Sequence, residues 1–244
     1  MFYGILSIFV WLFVAITSII FFPIALLIFL VTLPFDRNRR ILHSFSCFWA
    51  SSYVWINPLW DLHWEGKELI EKDKPFVFVS NHQSLLDIIL LYNLFTHFKW
   101  VSKDSLFNIP FIGWNMSLNG YIKLRRKDPK SHLNLIKEAG KHLQRGSSII
   151  LFPEGTRSPD GDIHRFKDGA FLIAKKYRVG VQPIVLDGAY QAIPKKGLMM
   201  NHKQRINIRV LPPISAETVG QLRVKDLSIK IKEDMDSNLK EIRV

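Results

Sequence analysis

His82 and Asp87 stand five residues apart in Ser80-Asn81-His82-Gln83-Ser84-Leu85-Leu86-Asp87, directly after the apolar run Pro75-Phe76-Val77-Phe78-Val79. A neutral imidazole can take a proton from an alcohol, and a carboxylate beside it fixes the tautomer and stabilises the imidazolium. On one helix, a spacing of five would put the two side chains on different faces. With His82 in the turn and Asp87 in the first helical turn, the carboxylate can fold back to the ring. A purely structural reading competes: Ser84-Leu85-Leu86-Asp87 has the form of a capping box, and an acid is favoured at a helix N-terminus.

A second polar segment, Phe152-Pro153-Glu154-Gly155-Thr156-Arg157-Ser158, follows the apolar run Ser148-Ile149-Ile150-Leu151. Pro153 and Gly155 shape a turn, and a guanidinium held there offers a fork for phosphate. The structural alternative is a turn with a surface ion pair. Two polar turns at the ends of two buried strands imply a shared cleft, because open α/β sheets take their ligands outside the carboxyl ends of the strands.

Other chemistries find no signature. The sequence has no G-x-S-x-G, no P-loop, no G-x-G-x-x-G and no H-E-x-x-H. Cys47 is the only cysteine, so an intrachain disulfide and a four-cysteine zinc site are both excluded. No metal and no resident cofactor is expected. His43, His63 and His202 read as ordinary surface histidines.

The elements that must position the two turns alternate strand and helix from Trp64 onward. Strands are expected at Pro75–Val79, Lys99–Val101, Ser148–Phe152, Val181–Leu186 and Ile206–Leu211. Helices are expected from Ser84 to about Thr96, over Asp128–Gln144 with Leu133, Ile136, Ala139 and Leu143 on the inner face, over Phe166–Tyr177, and from Ser215 to the C-terminus. Gly169 within its helix suggests a close backbone contact. The pattern predicts an α/β fold: a central mixed sheet flanked by helices, preceded by an N-terminal membrane-embedded helical segment.

That segment, Met1 to Phe35, carries no charge. It exceeds the ~20 apolar residues a straight span needs. Pro23 removes one backbone donor within it. The run fits either a single tilted span or a two-helix hairpin broken at Pro23, and the hairpin, with both ends cytoplasmic, is the preferred expectation. Residues 36–63, rich in Trp and Ser, read as an interfacial amphipathic segment or as a helix packed on the core. Residues 64–244 form the globular domain. Arg37, Arg39 and Arg40 follow the apolar run, which places that domain on the cytoplasmic face of the membrane. The chain of 244 residues has a net charge of +12, of which residues 1–60 supply only +2. Such a surface suits polyanions: nucleic acid, anionic lipid or a phosphorylated substrate. No nucleic-acid recognition pattern accompanies the charge.

Taken together, the segments resemble the glycerolipid acyltransferase family. Asn81, His82 and Asp87 match its N-H-x-x-x-x-D block, and Phe152–Ser158 matches F-P-E-G-T-R-S at every position. Gly120–Arg126 fits the glycine-to-basic block, with Lys103, Leu106, Pro110 and Gly113 upstream. Val179–Ile184 is similar to V-P-I-I-P-V with Gly180 in place of the first proline, and Phe166–Ala170 is similar to F-K-x-G-A. The resemblance spans roughly residues 64–212. Its departures are Gly180 and Arg125, where many members have an acid.

The members most like this chain acylate lysophosphatidic acid. The resemblance implies transfer of an acyl group from acyl-CoA or acyl carrier protein, as co-substrate, to the sn-2 hydroxyl of 1-acyl-glycerol-3-phosphate at a lipid bilayer. It implies His82 as general base and Asp87 as its partner. Glu154, Gly155, Thr156, Arg157, Arg126 and Lys103 would contact the substrate, with Arg157 and Arg126 on its phosphate. Two rivals stand beside it: an acyltransferase for another lysolipid, and a non-catalytic protein that binds anionic lipid through its basic face.

Overall fold

The structure is a computed structural model and describes residues 2–194, 200 and 203–243. Helix α1 (Phe2–Thr32) runs unbroken through Pro23. Proline removes one i→i−4 bond but leaves the rest of the ladder, and the flanking Ile19, Ile20 and Ile24 stay exposed. The expected break at Pro23 is therefore absent. The chain reverses instead at residues 33–39, where Arg39 takes a left-handed conformation and the Asp36 carboxylate accepts the Ile41 N–H at 2.8 Å, opening α2 (Arg40–Trp55). Phe21 meets Phe45 and Trp49 edge-on while Phe13 meets Tyr53, so α1 and α2 run antiparallel. Residues 2–32 are thus one helix, not the two-helix hairpin preferred from the sequence, and α2 is a separate helix packed against it.

Helix α2 packs one face on the core, as one of the two readings of its segment expected. Leu42, His43, Cys47, Trp49 and Val54 are buried, while Ile41, Phe48 and Trp55 remain exposed. Strand β1 (Trp60–Glu65) then begins, so the globular fold starts before residue 64.

Among the described residues seven strands form one mixed sheet in the order β1-β7-β6-β2-β5-β3-β4. They are β1, β2 (Phe76–Ser80), β3 (Phe98–Lys103), β4 (Ile122–Leu124), β5 (Ser148–Leu151), β6 (Gly180–Asp187) and β7 (Gln204–Val210). Every pairing is parallel except β6 with β7. All residues of β2, β5 and β6 are buried, which is why they read as continuous apolar runs: a parallel strand covered on both faces has no solvent side.

Alternate residues feed two cores. Phe76, Phe78, Phe98 and Trp100 face α2 and α3 (Leu86–Tyr92). Val77, Val79, Ile149 and Val181 face α5 (Pro129–Gln144), α6 (Gly169–Tyr177) and α9 (Val224–Ile242). Helix α4 (Ile112–Leu118) packs on α1, α7 (Ala189–Ala192) on β7, and α8 (Ala216–Gln221) on α6.

Several expectations shift. Helix α3 ends at Tyr92 rather than near Thr96. Leu135, not the exposed Leu133, joins Ala139 and Leu143 on the inner face of α5. Gly169 opens α6, and no atom lies within 4 Å of where its Cβ would stand, so no close contact explains it. The charged C-terminal stretch is two helices, α8 capped by Ser215 and then α9. His43 is buried rather than on the surface and His63 is half-buried beside Asp61; His202 lies outside the described residues.

Candidate active site

Strand β2 delivers its last residues to the carboxyl edge of the sheet. Asn81 extends the strand by a side-chain pair to β6: its Nδ2 donates to the Leu186 carbonyl, and its Oδ1 accepts the Leu186 N–H, each at 2.8 Å. The chain then turns, and His82 Nδ1 lies 2.8 Å from Asp87 Oδ2. The same oxygen accepts the Gln83 N–H at 2.6 Å and the Ser84 N–H at 2.8 Å.

The two sequence readings of Asp87 are thus one structure. The carboxylate that caps α3 also holds the imidazole, and the shared oxygen fixes the ring relative to the helix. Asp87 is fully buried. Isolating a carboxylate from water is costly, and three donors on one oxygen offset that cost. With Nδ1–H donated to a carboxylate, Nε2 is the basic nitrogen, and no hydrogen bond occupies it among the described residues.

Strand β5 delivers the second turn. The Phe152 ring stacks on His82 with centroids 3.9 Å apart and planes 7° apart. Glu154 is buried, and both its oxygens are engaged by backbone: Oε1 accepts the His82 N–H at 2.9 Å and Oε2 the His164 N–H at 3.2 Å. Burial pushes its carboxyl up to about 7, against the two N–H donors, which favour the anion. From the other side, the Ser158 N–H donates to the His82 carbonyl at 2.7 Å. The Glu154–Ser158 turn is therefore fastened to the backbone of His82 at both its N–H and its C=O. Gly155 occupies a φ of +72°, a conformation a side chain would strain. Thr156 is exposed and Arg157 half-buried in the same turn.

Lys103 and Arg126 lie farther along this edge. Lys103 ends β3, two strands from β2, and Arg126 follows β4, three strands away. At a strand spacing of ~4.8 Å these are offsets of roughly 10 and 14 Å. Both are exposed, and no hydrogen bond or ion pair links their side chains to the turn among the described residues. The structure thus assembles His82, Asp87, Glu154, Gly155, Thr156 and Arg157, and leaves Lys103 and Arg126 at the rim. Arg125 pairs with Asp104 at 3.0 Å.

An apolar cavity of about 280 Å³ is lined by Trp11, Tyr53, Leu85, Ile88, Trp100 and Met116 among others, with Leu85 and Ile88 flanking Asp87 in sequence. Phe152 joins the two sites, stacked on His82 on one side and 5.6 Å from Trp100 on the other. Sequence reasoning missed this cavity, whose walls come from α1, α2, α3, β3 and α4. It also missed Phe152 as the floor under His82. The position of Phe152 at the head of the second turn was the available signal.

A family model described as Acyltransferase matches residues 61–187. A 1-acyl-sn-glycerol-3-phosphate acyltransferase of Arabidopsis thaliana, chloroplastic LPAT1, is 42% identical over 210 residues, 84% of this chain and 57% of that protein. One of Pseudomonas aeruginosa is 29% identical over 86% of this chain and 81% of its own. The crystal structure of the 1-acyl-sn-glycerophosphate (LPA) acyltransferase PlsC from Thermotoga maritima superposes with a TM-score of 0.80 at 26% identity, covering 99% of this chain and 98% of that one. The chain spans little more than half the length of the chloroplast relatives it matches, 57% and 56%. With the family model covering over half its length and centred on both turns, this chain belongs to the acyltransferase family.

Proposed function

We propose that this chain moves a fatty acyl group from an acyl thioester to the sn-2 hydroxyl of 1-acyl-glycerol-3-phosphate, making phosphatidic acid. The observation that carries the reading is the His82–Asp87 pair fastened through Glu154 to the Gly155–Arg157 turn beside an apolar cavity. That arrangement puts a base, a phosphate fork and a place for a hydrocarbon chain within one edge of the sheet. The names of the relatives, all acyltransferases of the same lysolipid, support the choice of acceptor.

Nε2 of His82 removes the proton of the acceptor hydroxyl, and the oxygen attacks the thioester carbonyl. Asp87 stabilises the imidazolium, which then returns its proton to the departing thiolate. No covalent acyl-enzyme is required. The N–H groups of Gln83 and Ser84 already serve Asp87, so they are not the donors for the developing oxyanion, and Lys103, an exposed cation at the rim of this edge, is the candidate for that role. Arg157 holds the phosphate, with Arg126 as an outer cation. Glu154 acts by fixing the turn rather than by touching the acceptor, since backbone donors occupy both its oxygens.

The donor is acyl-CoA or acyl carrier protein, and the acyl chain lies in the cavity. Helix α1, with a mean hydropathy of 2.8 over its most apolar stretch and exposed Ile8, Leu12, Ile16 and Leu27, sits in lipid. Arg37, Arg39 and Arg40 orient the catalytic domain to the cytoplasmic face. The test is incubation of the purified chain in lipid with a labelled acyl thioester and either lysophosphatidic acid or lysophosphatidylcholine. Labelled phosphatidic acid from the first and little product from the second is the expected result. Preference for the phosphocholine acceptor would assign another lysolipid, and no product from either would leave a lipid-binding protein.

A further inference from the structure

Resting on the acyl-transfer reading above, we infer that Lys167 is a second phosphate-binding residue, whose ammonium joins Arg157 in holding the acceptor's phosphomonoester against the Gly155–Thr156 turn. Lys167 lies ten residues beyond Arg157, outside the turn itself, yet the fold returns it there. Its N–H donates to the Pro153 carbonyl at 2.9 Å, which fixes its backbone against the turn. Its side chain then lies across Gly155. A Cβ on that glycine would stand 2.8 Å from Lys167 Nζ, 3.2 Å from Cε and 3.4 Å from Cδ. Gly155 is required for its positive φ, and a side chain there would also push the flexible end of Lys167 off the turn.

Lys167 is exposed, and its ammonium lies over the turn without being neutralised. Among the described residues Lys167 Nζ makes no hydrogen bond and no ion pair. Glu154, one residue from the seat, turns both oxygens to backbone N–H groups. A cation held on a fixed turn without an acid suits an anionic ligand. A phosphomonoester, with up to two negative charges, is better served by a point charge together with a guanidinium fork than by either alone. The seat also has a defined position relative to the base, because the turn is bonded to both backbone groups of His82.

The test uses the full chain in lipid, as wild type, Lys167→Ala and Lys167→Arg, with Arg157→Ala as reference. Acceptor KM and kcat are measured with lysophosphatidic acid at saturating donor, and affinity for glycerol 3-phosphate is measured by calorimetry. Lys167→Ala should raise the acceptor KM roughly tenfold with kcat within about twofold, as expected for loss of one charge-assisted contact made equally in ground and transition states. The donor KM should stay put, Lys167→Arg should recover most of the loss, and glycerol 3-phosphate affinity should weaken in step. Wild-type acceptor KM and wild-type glycerol 3-phosphate affinity in Lys167→Ala would overturn the inference and leave a solvated lysine. A wild type that makes no phosphatidic acid but binds glycerol 3-phosphate through Lys167 would instead remove the acyl-transfer reading and keep the site. A wild type that does neither removes both.

Discussion

His82 and His43 are both buried imidazoles, placed toward opposite ends of the same sheet, and their partners differ in kind. His82 gives one nitrogen to the Asp87 carboxylate and keeps the other uncommitted among the described residues. His43, on α2, commits both: Nδ1 lies 2.9 Å from the Tyr121 hydroxyl and Nε2 3.0 Å from the Thr96 carbonyl. Burial, with Lys99 nearby, pulls the His43 pKa down to about 3. Lys99 is itself buried. Its ammonium bridges the carbonyls of Asn38 and Asn119, tying the α1–α2 turn to the α4–β4 turn. Burial is common to both histidines, so burial alone makes neither a base. A counter-charge on one nitrogen and a vacancy on the other separate the group that can accept a proton from the one that serves as a neutral strut.

The largest break in this comparison comes from removing the counter-charge while keeping its shape. Asp87→Asn should lower kcat by roughly 10⁴-fold, the scale seen when an orienting carboxylate is lost from such a pair, while circular dichroism stays native. Equal activity in this variant would show that Asp87 is only a helix cap.

A smaller effect should follow at Glu154, which links the two turns. Glu154→Gln keeps one acceptor but loses the other, and kcat/KM should fall about tenfold. Its pH signature is sharper. The folded-state pKa of Glu154 lies near 7, above its ordinary 4.5, so the folded protein holds this proton more tightly than the unfolded chain. The contribution is fully present below pH 4.5 and is lost as pH rises through 7. Between those values the wild-type Tm should decline relative to Glu154→Gln, whose amide cannot ionise. Parallel Tm–pH curves would contradict the assignment.

The smallest effect on turnover belongs to the other histidine. His43→Gln should leave kcat within about threefold, while Tm drops because a buried hydrogen-bonded group is replaced by an imperfect mimic. A loss comparable to that of Asp87→Asn would erase the distinction between the two sites.

How much of this was legible in the sequence varies with physical cause. Strands β2, β5 and β6 stood out because burial on both faces leaves only apolar side chains. Strand β1, Trp-Asp-Leu-His-Trp-Glu, hides because it is an edge strand with one exposed face, and β4 because it has only three residues. Pro23 read as a break, but Phe13 and Val14 before it and Ala25 and Ile28 after it pack in one cluster with Trp49 and Tyr53, and the reversal falls where Asp36 can cap α2. His82 and Asp87 were legible because five residues and one turn suffice to join them. The bond from Glu154 to the His82 N–H spans 72 positions. It follows only from the β2–β5 pairing, which no local pattern encodes.

The most direct test of the central claim is acyl transfer by His82→Ala, measured beside wild type at equal protein and equal Tm with labelled acyl donor and lysophosphatidic acid. The account predicts phosphatidic acid from wild type and none above the no-enzyme rate from the variant. A folded His82→Ala protein that acylates at the wild-type rate would contradict it.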